Sequence, residues 1–274
     1  MTSRATGGYG CAMSPAGCLT KNTWRLSSLQ SSGLSRLERK VASMIAELAP
    51  CRALELAPGR GALSAELVRL GHRVEALDIA PENFVADKTG VRLTKGDLDD
   101  PLPYADNSFE LVVCCEGIEH LEHQYAFARE LARVLAPGGT LVITSPNINN
   151  AASRLRFLLT GFYALAVRPS SEYERNRYIE HIYPLTFWQF RHILHTAGLK
   201  IERVDTDHIR RSSLALALLW PLSYILTGRT LASEPDDRQR EANREINRQM
   251  HSLSLFFGRT QIVVARKRKS TYEL

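Results

Sequence analysis

Residues 54 to 61 read Leu-Glu-Leu-Ala-Pro-Gly-Arg-Gly, and this stretch decides the fold of the chain. A short apolar strand from Arg52 to Ala57 leads into it, and apolar spacing from Ala62 to Leu70 predicts a helix after it. Glycines in a strand-to-helix turn let a ligand approach the backbone closely, as nucleotide-type cofactors do. The free N–H groups at the start of the helix favour a carboxylate or phosphate. The stretch therefore predicts a cofactor loop in an α/β fold.

The loop differs from two better-known glycine-rich loops. No Gly-Lys-Ser/Thr follows it, so it is not a P-loop. It is also a poor Gly-x-Gly-x-x-Gly, because Ala57 occupies the first glycine position and the helix follows Gly61 directly.

The rest of the chain alternates between strand and helix patterns. Further strands are predicted at 73–78, 91–94, 109–115, 140–145, 199–204 and 260–265, and further helices at 34–48, 124–135 and 186–196. Pro137-Gly138-Gly139 is predicted to be the turn before strand five. The alternation favours an α/β sandwich around a mainly parallel sheet, with the ligand crevice at the carboxyl ends of the strands.

Two acidic residues are predicted at that edge of the sheet. Asp78 ends the second strand, where a carboxylate can accept hydrogen bonds from both hydroxyls of a ribose. Asp97 ends the third strand, where it could receive an adenine amino group. The alternative is that both acids only cap helices or close turns.

Composition limits the other possibilities. The chain has 274 residues, is 44% hydrophobic and carries a net charge of +6, which excludes a wholly disordered protein. Its five cysteines form neither a disulfide framework nor a zinc pattern, so no metal site is expected. Residues 1–33 lack an apolar secretory segment and are predicted to be a disordered leader. Residues 34–274 are predicted to form one domain, with lid insertions at about 147–184 and 206–258.

These features resemble the class I S-adenosylmethionine-dependent methyltransferases. The resemblance rests on the stretch at 54–61, on Asp78, and on three later segments: Gly96-Asp97-Leu98, Cys115-Glu-Gly-Ile-Glu-His-Leu121 and Arg133-Val-Leu-Ala-Pro-Gly-Gly139. It implies a Rossmann-like three-layer sandwich with a mainly parallel seven-stranded sheet and helical insertions after strands five and six. It also implies S-adenosyl-L-methionine as the cofactor.

The resemblance further implies which residues hold this cofactor. They are Glu55, Ala57, Pro58, Gly59 and Gly61 for the methionine half, Asp78 and Ile79 for the ribose, Asp97 and Leu98 for the adenine, and Cys115 and Glu116 for the sulfonium end. Ala57 departs from the family, which usually has glycine there. A small backbone shift is expected to accommodate its methyl group.

Methyl transfer to oxygen usually needs a base, and histidine suits that task near neutral pH. His120, after strand four, is the first candidate, and His181, in the first lid, is the second. The alternatives are that His120 caps the following helix and that His181 anchors its loop. Glu116 and Glu119 are weaker candidates, and Glu119 is expected to be solvated.

The acceptor is predicted to be a small molecule or a lipid- or glycan-linked compound in a bacterium. The Asp/Asn-Pro-Pro-aromatic segment of nucleic-acid amino methylases is absent, since residues 115–118 read Cys-Glu-Gly-Ile, so no nucleic-acid partner is expected. The apolar run 214–226 is too short to span a bilayer. It is either a buried helix or a peripheral contact with the inner face of the membrane. The expected location is otherwise cytoplasmic, and the oligomeric state stays open.

Two other functions remain open at this point. A silent cofactor-binding or membrane-peripheral partner protein would explain Ala57 and the lack of a certain base. An NAD-dependent oxidoreductase is disfavoured by the short glycine loop.

Overall fold

The computed structural model describes residues 33–86, 90–163 and 183–269. The strands are β1 (Arg52–Leu56), β2 (Arg73–Asp78), β3 (Arg92–Lys95), β4 (Phe109–Cys114), β5 (Leu135–Pro146), β6 (Leu199–Asp205) and β7 (Thr260–Lys267). The α-helices are α1 (Arg36–Ile45), α2 (Ala62–Arg69), α3 (Gln124–Val134), α4 (Ala151–Thr160), α5 (Phe187–Thr196), α6 (Arg211–Leu214), α7 (Trp220–Ala232), α8 (Asp237–Met250) and α9 (Leu253–Phe257).

The strands form one seven-stranded sheet in the order β3-β2-β1-β4-β5-β7-β6. All neighbouring pairs from β3 to β5 are parallel, and β7 runs antiparallel to both β5 and β6. The chain moves outward from β1 to β3 and then returns to pair β4 with the other side of β1. This reversal is the switch point at which α/β sheets hold ligands. The predicted mainly parallel seven-stranded fold is confirmed.

Both faces of the sheet are covered by helices. Successive side chains of a strand point to opposite faces, so Leu54 and Leu56 join one core cluster while Ala53 joins the other. The first cluster includes apolar residues of α3 and α5, and the second includes those of α1 and α2. These layers fix the carboxyl ends of β1, β2 and β4 side by side.

The helix starts follow local capping chemistry. The predicted helix 34–48 is shorter in the structure, because Ser35 and Glu38 form a reciprocal capping box that starts α1 at Arg36. Thr186 and Gln189 make the same arrangement at the start of α5.

Strand five begins earlier than predicted. β5 starts at Leu135, which pairs with Phe109, and pairing resumes at Thr140 opposite Leu111. The residues between them, including Gly138 at a φ of +77°, form an irregularity within the ladder. The prediction of a turn that separates helix from strand was therefore wrong in its boundary, although the glycines do supply the local bend.

Helices occupy the segments after β5 and after β6, as the sequence predicted. The first segment contains α4 and the second contains α6 to α9. Residues 1–32 and 164–182 lie outside the described residues, so the leader and most of the first lid are not placed. The division into a domain with two lids stays a prediction.

The apolar run 214–226 is not a buried helix. No residue of α7 is buried, and Leu218, just before it, is 93% exposed. The reason is that α7 meets α8 through polar groups: Asn243 and Asn247 of α8 donate side-chain hydrogen bonds to the Leu231 and Tyr224 carbonyls of α7. Among the described residues, no helix has the length and apolar character needed to cross a membrane.

Candidate functional site

A cavity of about 660 Å³ opens at the carboxyl ends of β1, β2 and β4. Its lining consists of Ala57, Gly59, Asp78, Ile79, Ala80, Glu82, Asn83, Asp97, Leu98, Glu116, Gly117, His120 and Leu121. The structure thus brings together seven of the eleven predicted cofactor residues and one of the two candidate bases. Four predicted cofactor residues lie outside the lining: Glu55, Pro58, Gly61 and Cys115.

The turn after β1 is built from left-handed backbone. Ala57, Gly59 and Gly61 all have positive φ, at +54°, +54° and +82°. For alanine this conformation brings Cβ close to a carbonyl oxygen and costs roughly 1–2 kcal/mol. Ala57 therefore carries backbone strain, and the small shift expected from its methyl group stays a prediction. At Gly61 a side chain would also collide with the Phe84 ring, so this glycine is required for packing.

Asp78 ties this turn to the end of β2. One carboxylate oxygen accepts from the Gly59 N–H at 3.1 Å, and the other accepts from the Ala80 N–H at 2.9 Å. A carboxylate has about four acceptor positions, so about two remain for a ligand. Asp78 is 9% exposed and lines the cavity, which agrees with its predicted place in the site.

Asp97 and Leu98 line the cavity beyond the end of β3. Asp97 accepts from the Asp99 N–H at 3.0 Å, so its carboxylate also closes the local turn. Asp99, which was not among the predicted site residues, accepts from the backbone N–H groups of Glu122 and His123. This acid therefore holds the loop after β3 to the segment after His120. The run of acids after Gly96 was the signal that could have revealed it.

Glu55 lies behind the cavity rather than in it. It is 3% exposed and accepts a hydrogen bond from the Ser64 hydroxyl. Burial raises the pKa of the Glu55 carboxyl to about 8, although the Ser64 bond acts in the opposite direction. Cys115 is half-buried, and burial raises the pKa of its thiol well above the usual range. Both residues support the floor of the site.

The segment after β4 supplies the other wall. Glu116 has a φ of +50°, and its N–H donates to the Thr144 hydroxyl at 3.0 Å. Burial raises the pKa of the Glu116 carboxyl, and the charge of nearby Arg259 partly offsets this. His120 ends a short 3₁₀ helix, Ile118–His120, and lines the cavity.

Glu119 is buried, so the expectation that it would be solvated was wrong. It is 0% exposed, and both of its carboxyl oxygens are shielded from solvent. Glu119 and His120 are neighbours in the same short 3₁₀ helix, but only His120 lines the cavity. Burial raises the pKa of Glu119 to about 8.

The second candidate base, His181, lies outside the described residues. The next described residue is Tyr183, and its N–H donates to the Glu119 carbonyl at 3.1 Å. Gln124 donates its side-chain amide to the Tyr183 carbonyl. The end of the first predicted lid is therefore fastened beside the turn that carries His120. No metal-ligating cluster of three or more side chains occurs among the described residues.

Comparisons with known proteins find similarity to methyltransferases. A family model described as a methyltransferase domain matches residues 54–143. The chain is 31% identical over 166 residues to a ubiquinone biosynthesis O-methyltransferase of Xanthomonas euvesicatoria, covering 58% of this chain and 66% of the relative. It is 34% identical over 116 residues to a protein of the same description from Xanthomonas oryzae, covering 40% and 48%. The chain therefore spans less than two thirds of the length of these two relatives.

Two solved structures share the fold. An S-adenosylmethionine dependent methyltransferase from Mesorhizobium loti superposes with a TM-score of 0.51 at 16% identity, covering 88% of this chain and 100% of that one. A SAM dependent methyltransferase from Archaeoglobus fulgidus gives a TM-score of 0.50 at 16% identity, covering 84% and 94%. At these identities the likeness concerns the fold alone.

Proposed function

Because this chain carries a methyltransferase domain of the class I S-adenosylmethionine-dependent family, we propose that it transfers a methyl group from this cofactor to an oxygen atom of a small-molecule acceptor. The observation that carries the proposal is the cavity at the switch point of the sheet, where Asp78 meets the turn after β1. The description of the two Xanthomonas relatives as O-methyltransferases supports oxygen as the accepting atom.

The residues present fit S-adenosylmethionine. Asp78 keeps acceptor positions for a pair of ribose hydroxyls, because only two of its positions are used by backbone N–H groups. Leu98 and Ile79 form an apolar wall of the cavity, which suits a flat adenine ring. Asp97 lines the cavity next to Leu98. When bound, the cofactor supplies a methyl group already activated on a sulfonium. The chain's own tasks are to orient the acceptor and exclude water.

His120 is proposed as the group that accepts the proton from the acceptor hydroxyl. It lines the same cavity as Asp78 and Glu116, so an acceptor in this cavity could reach its imidazole. Asp99 fixes the segment that follows His120, which would keep the imidazole in place. The bond between the acceptor oxygen and its proton breaks as the imidazole takes the proton.

The acceptor is further proposed to be lipid- or glycan-linked, with the chain at the inner face of a membrane through residues 214–226. What supports this is the exposure of that run: none of its residues is buried. A water-insoluble acceptor would favour an enzyme that works at a bilayer surface.

The test is a turnover assay with methyl-labelled S-adenosylmethionine and a panel of hydroxylated acceptors, both soluble and lipid-linked. We expect label in at least one hydroxylated product, and S-adenosylhomocysteine should bind in calorimetry. Binding of S-adenosylhomocysteine without label in any acceptor would favour a silent cofactor-binding protein. Tight binding of a nicotinamide dinucleotide, with none of S-adenosylmethionine, would overturn the proposal.

A further inference from the structure

An unusually apolar surface is formed by two insertion segments that are far apart in sequence. We define the α4–α7 surface as the exposed residues Phe157, Leu158 and Leu159 of α4 together with Leu218, Leu222 and Ile225 at or next to α7. Leu158 is 79% exposed and Leu222 55%. Arg154 of α4 donates a hydrogen bond to the Ser223 hydroxyl of α7 at 2.8 Å, which joins the two helices at this point. Monomeric soluble proteins rarely expose apolar patches larger than a few hundred Å², so a group of large exposed apolar side chains indicates a surface that meets a partner.

The charges of this surface have a single sign. Residues 151–162 and 210–232 contain five arginines, at 154, 156, 210, 211 and 229, and no aspartate or glutamate. The whole chain carries 29 acidic residues, so their absence from these two segments is a local feature. An apolar face flanked by arginines is typical of helices that lie in the plane of a membrane interface.

Two of these arginines carry donors without an acceptor. Arg154 is half-buried, donates to the Asn149 carbonyl and to Ser223, and stacks over the Phe256 ring at 5.3 Å. Its Nη2 and the Nη1 of Arg210 have no hydrogen-bond partner among the described residues. Because these two nitrogens are shielded from solvent, the arginines that can meet lipid phosphates are the exposed Arg211 and Arg229 and the partly exposed Arg156.

We propose that the α4–α7 surface docks on an anionic lipid bilayer, with its leucines in the interface and its arginines on lipid phosphates. This inference rests on the peripheral contact proposed above and adds to it a second helix, α4, and a preference for negative headgroups. A second copy of the chain is a poorer occupant of this surface. Two such faces would bring their exposed arginines together, and these like charges repel.

The experiment is vesicle sedimentation of the full chain. Vesicles of phosphatidylcholine alone are compared with vesicles of phosphatidylcholine mixed with phosphatidylglycerol. We expect at least about tenfold stronger partitioning onto the mixed vesicles, weakened by salt. Leu218→Asp should abolish partitioning, and Arg211→Gln should lower it about fivefold, since one basic residue at the surface contributes about that factor. The matched controls are Tyr125→Asp on α3 and Arg36→Gln on α1, both at exposed positions, and neither should change partitioning.

Each outcome bears on the inference. Equal partitioning onto neutral and anionic vesicles would overturn the headgroup preference but leave the peripheral contact intact. Absence of partitioning onto either would overturn both. Gel filtration gives the remaining outcome. If the chain does not bind vesicles but forms a concentration-dependent dimer, and Leu218→Asp makes that dimer dissociate, the surface belongs to a second copy of the chain. Both leucine and arginine variants alter exposed side chains, and a thermal melt confirms that they fold. Vesicle binding with no methyl transfer to any acceptor would reject the proposed function alone.

Discussion

Replacing Asp78 by asparagine should weaken both the cofactor site and the fold that holds it. In the native chain, each carboxylate oxygen accepts one backbone N–H, from Gly59 on one side and Ala80 on the other. The amide of asparagine has only one oxygen, so one of these two bonds must be lost. The variant also removes a negative charge and an acceptor position from the cavity.

The magnitude follows from these two bonds. A hydrogen bond to a charged group contributes about 1.5–3 kcal/mol, so the free energy of unfolding should fall by about 2 kcal/mol. If the lost position also serves a ribose hydroxyl, the Kd for S-adenosylhomocysteine should rise by a similar free energy. That corresponds to roughly tenfold to a hundredfold weaker binding.

The assay combines calorimetric titration of S-adenosylhomocysteine with urea denaturation of the same samples. Glu82→Gln is the matched control, because Glu82 lines the same cavity at an exposed position. It removes the same charge without touching the turn after β1, and its Kd should stay within about threefold of the native value. A Kd for Asp78→Asn equal to that of the control would refute the reasoning and leave Asp78 with a purely structural role.

Three further changes test other parts of the site. His120→Ala should lower turnover with little change in cofactor affinity; native turnover would exclude His120 as the base. Ala57→Gly should raise the free energy of unfolding by about 1 kcal/mol, seen in denaturant titration, because glycine adopts the left-handed φ of +54° without strain; a less stable variant would contradict this account. Folding raises the pKa of Glu55 from 4.5 to about 8, so the native chain should lose stability as pH rises through that window. Glu55→Gln should reduce the loss of unfolding free energy with pH by about 1.4 kcal/mol per pH unit. An unchanged pH dependence of the unfolding free energy would show that Glu55 is ionised in the fold.

The sequence predicted the sheet well because its central strands β1, β4 and β5 are largely buried and lie between clear turn signals. The order of motifs then placed Asp78, Asp97 and Glu116 at one edge, and the structure brings all three to the same cavity. This works because parallel strands deliver their carboxyl ends to one side, whatever the helices between them do.

The sequence could not predict which way each side chain points within a short turn. Glu119 and His120 are neighbours in a 3₁₀ helix, and one is fully buried while the other lines the cavity. No periodicity operates over three residues, so the two environments could not be separated. The left-handed backbone at Ala57 was missed for a related reason, since a non-glycine residue gives no signal for positive φ.

The polar contacts between α7 and α8 predict where the molecule unfolds locally. Asn243 and Asn247 hold α7 by directional bonds to its backbone, and no side chain of α7 is buried. Trp220 at its start and Met250 at its end pack against buried clusters, and the rest of the hairpin has little apolar area to lose. It should therefore behave as a cooperative unit of low stability. In native-state hydrogen exchange its amides should exchange well before those of β1 and β4. The central sheet would then remain intact while this appendage detaches and reattaches.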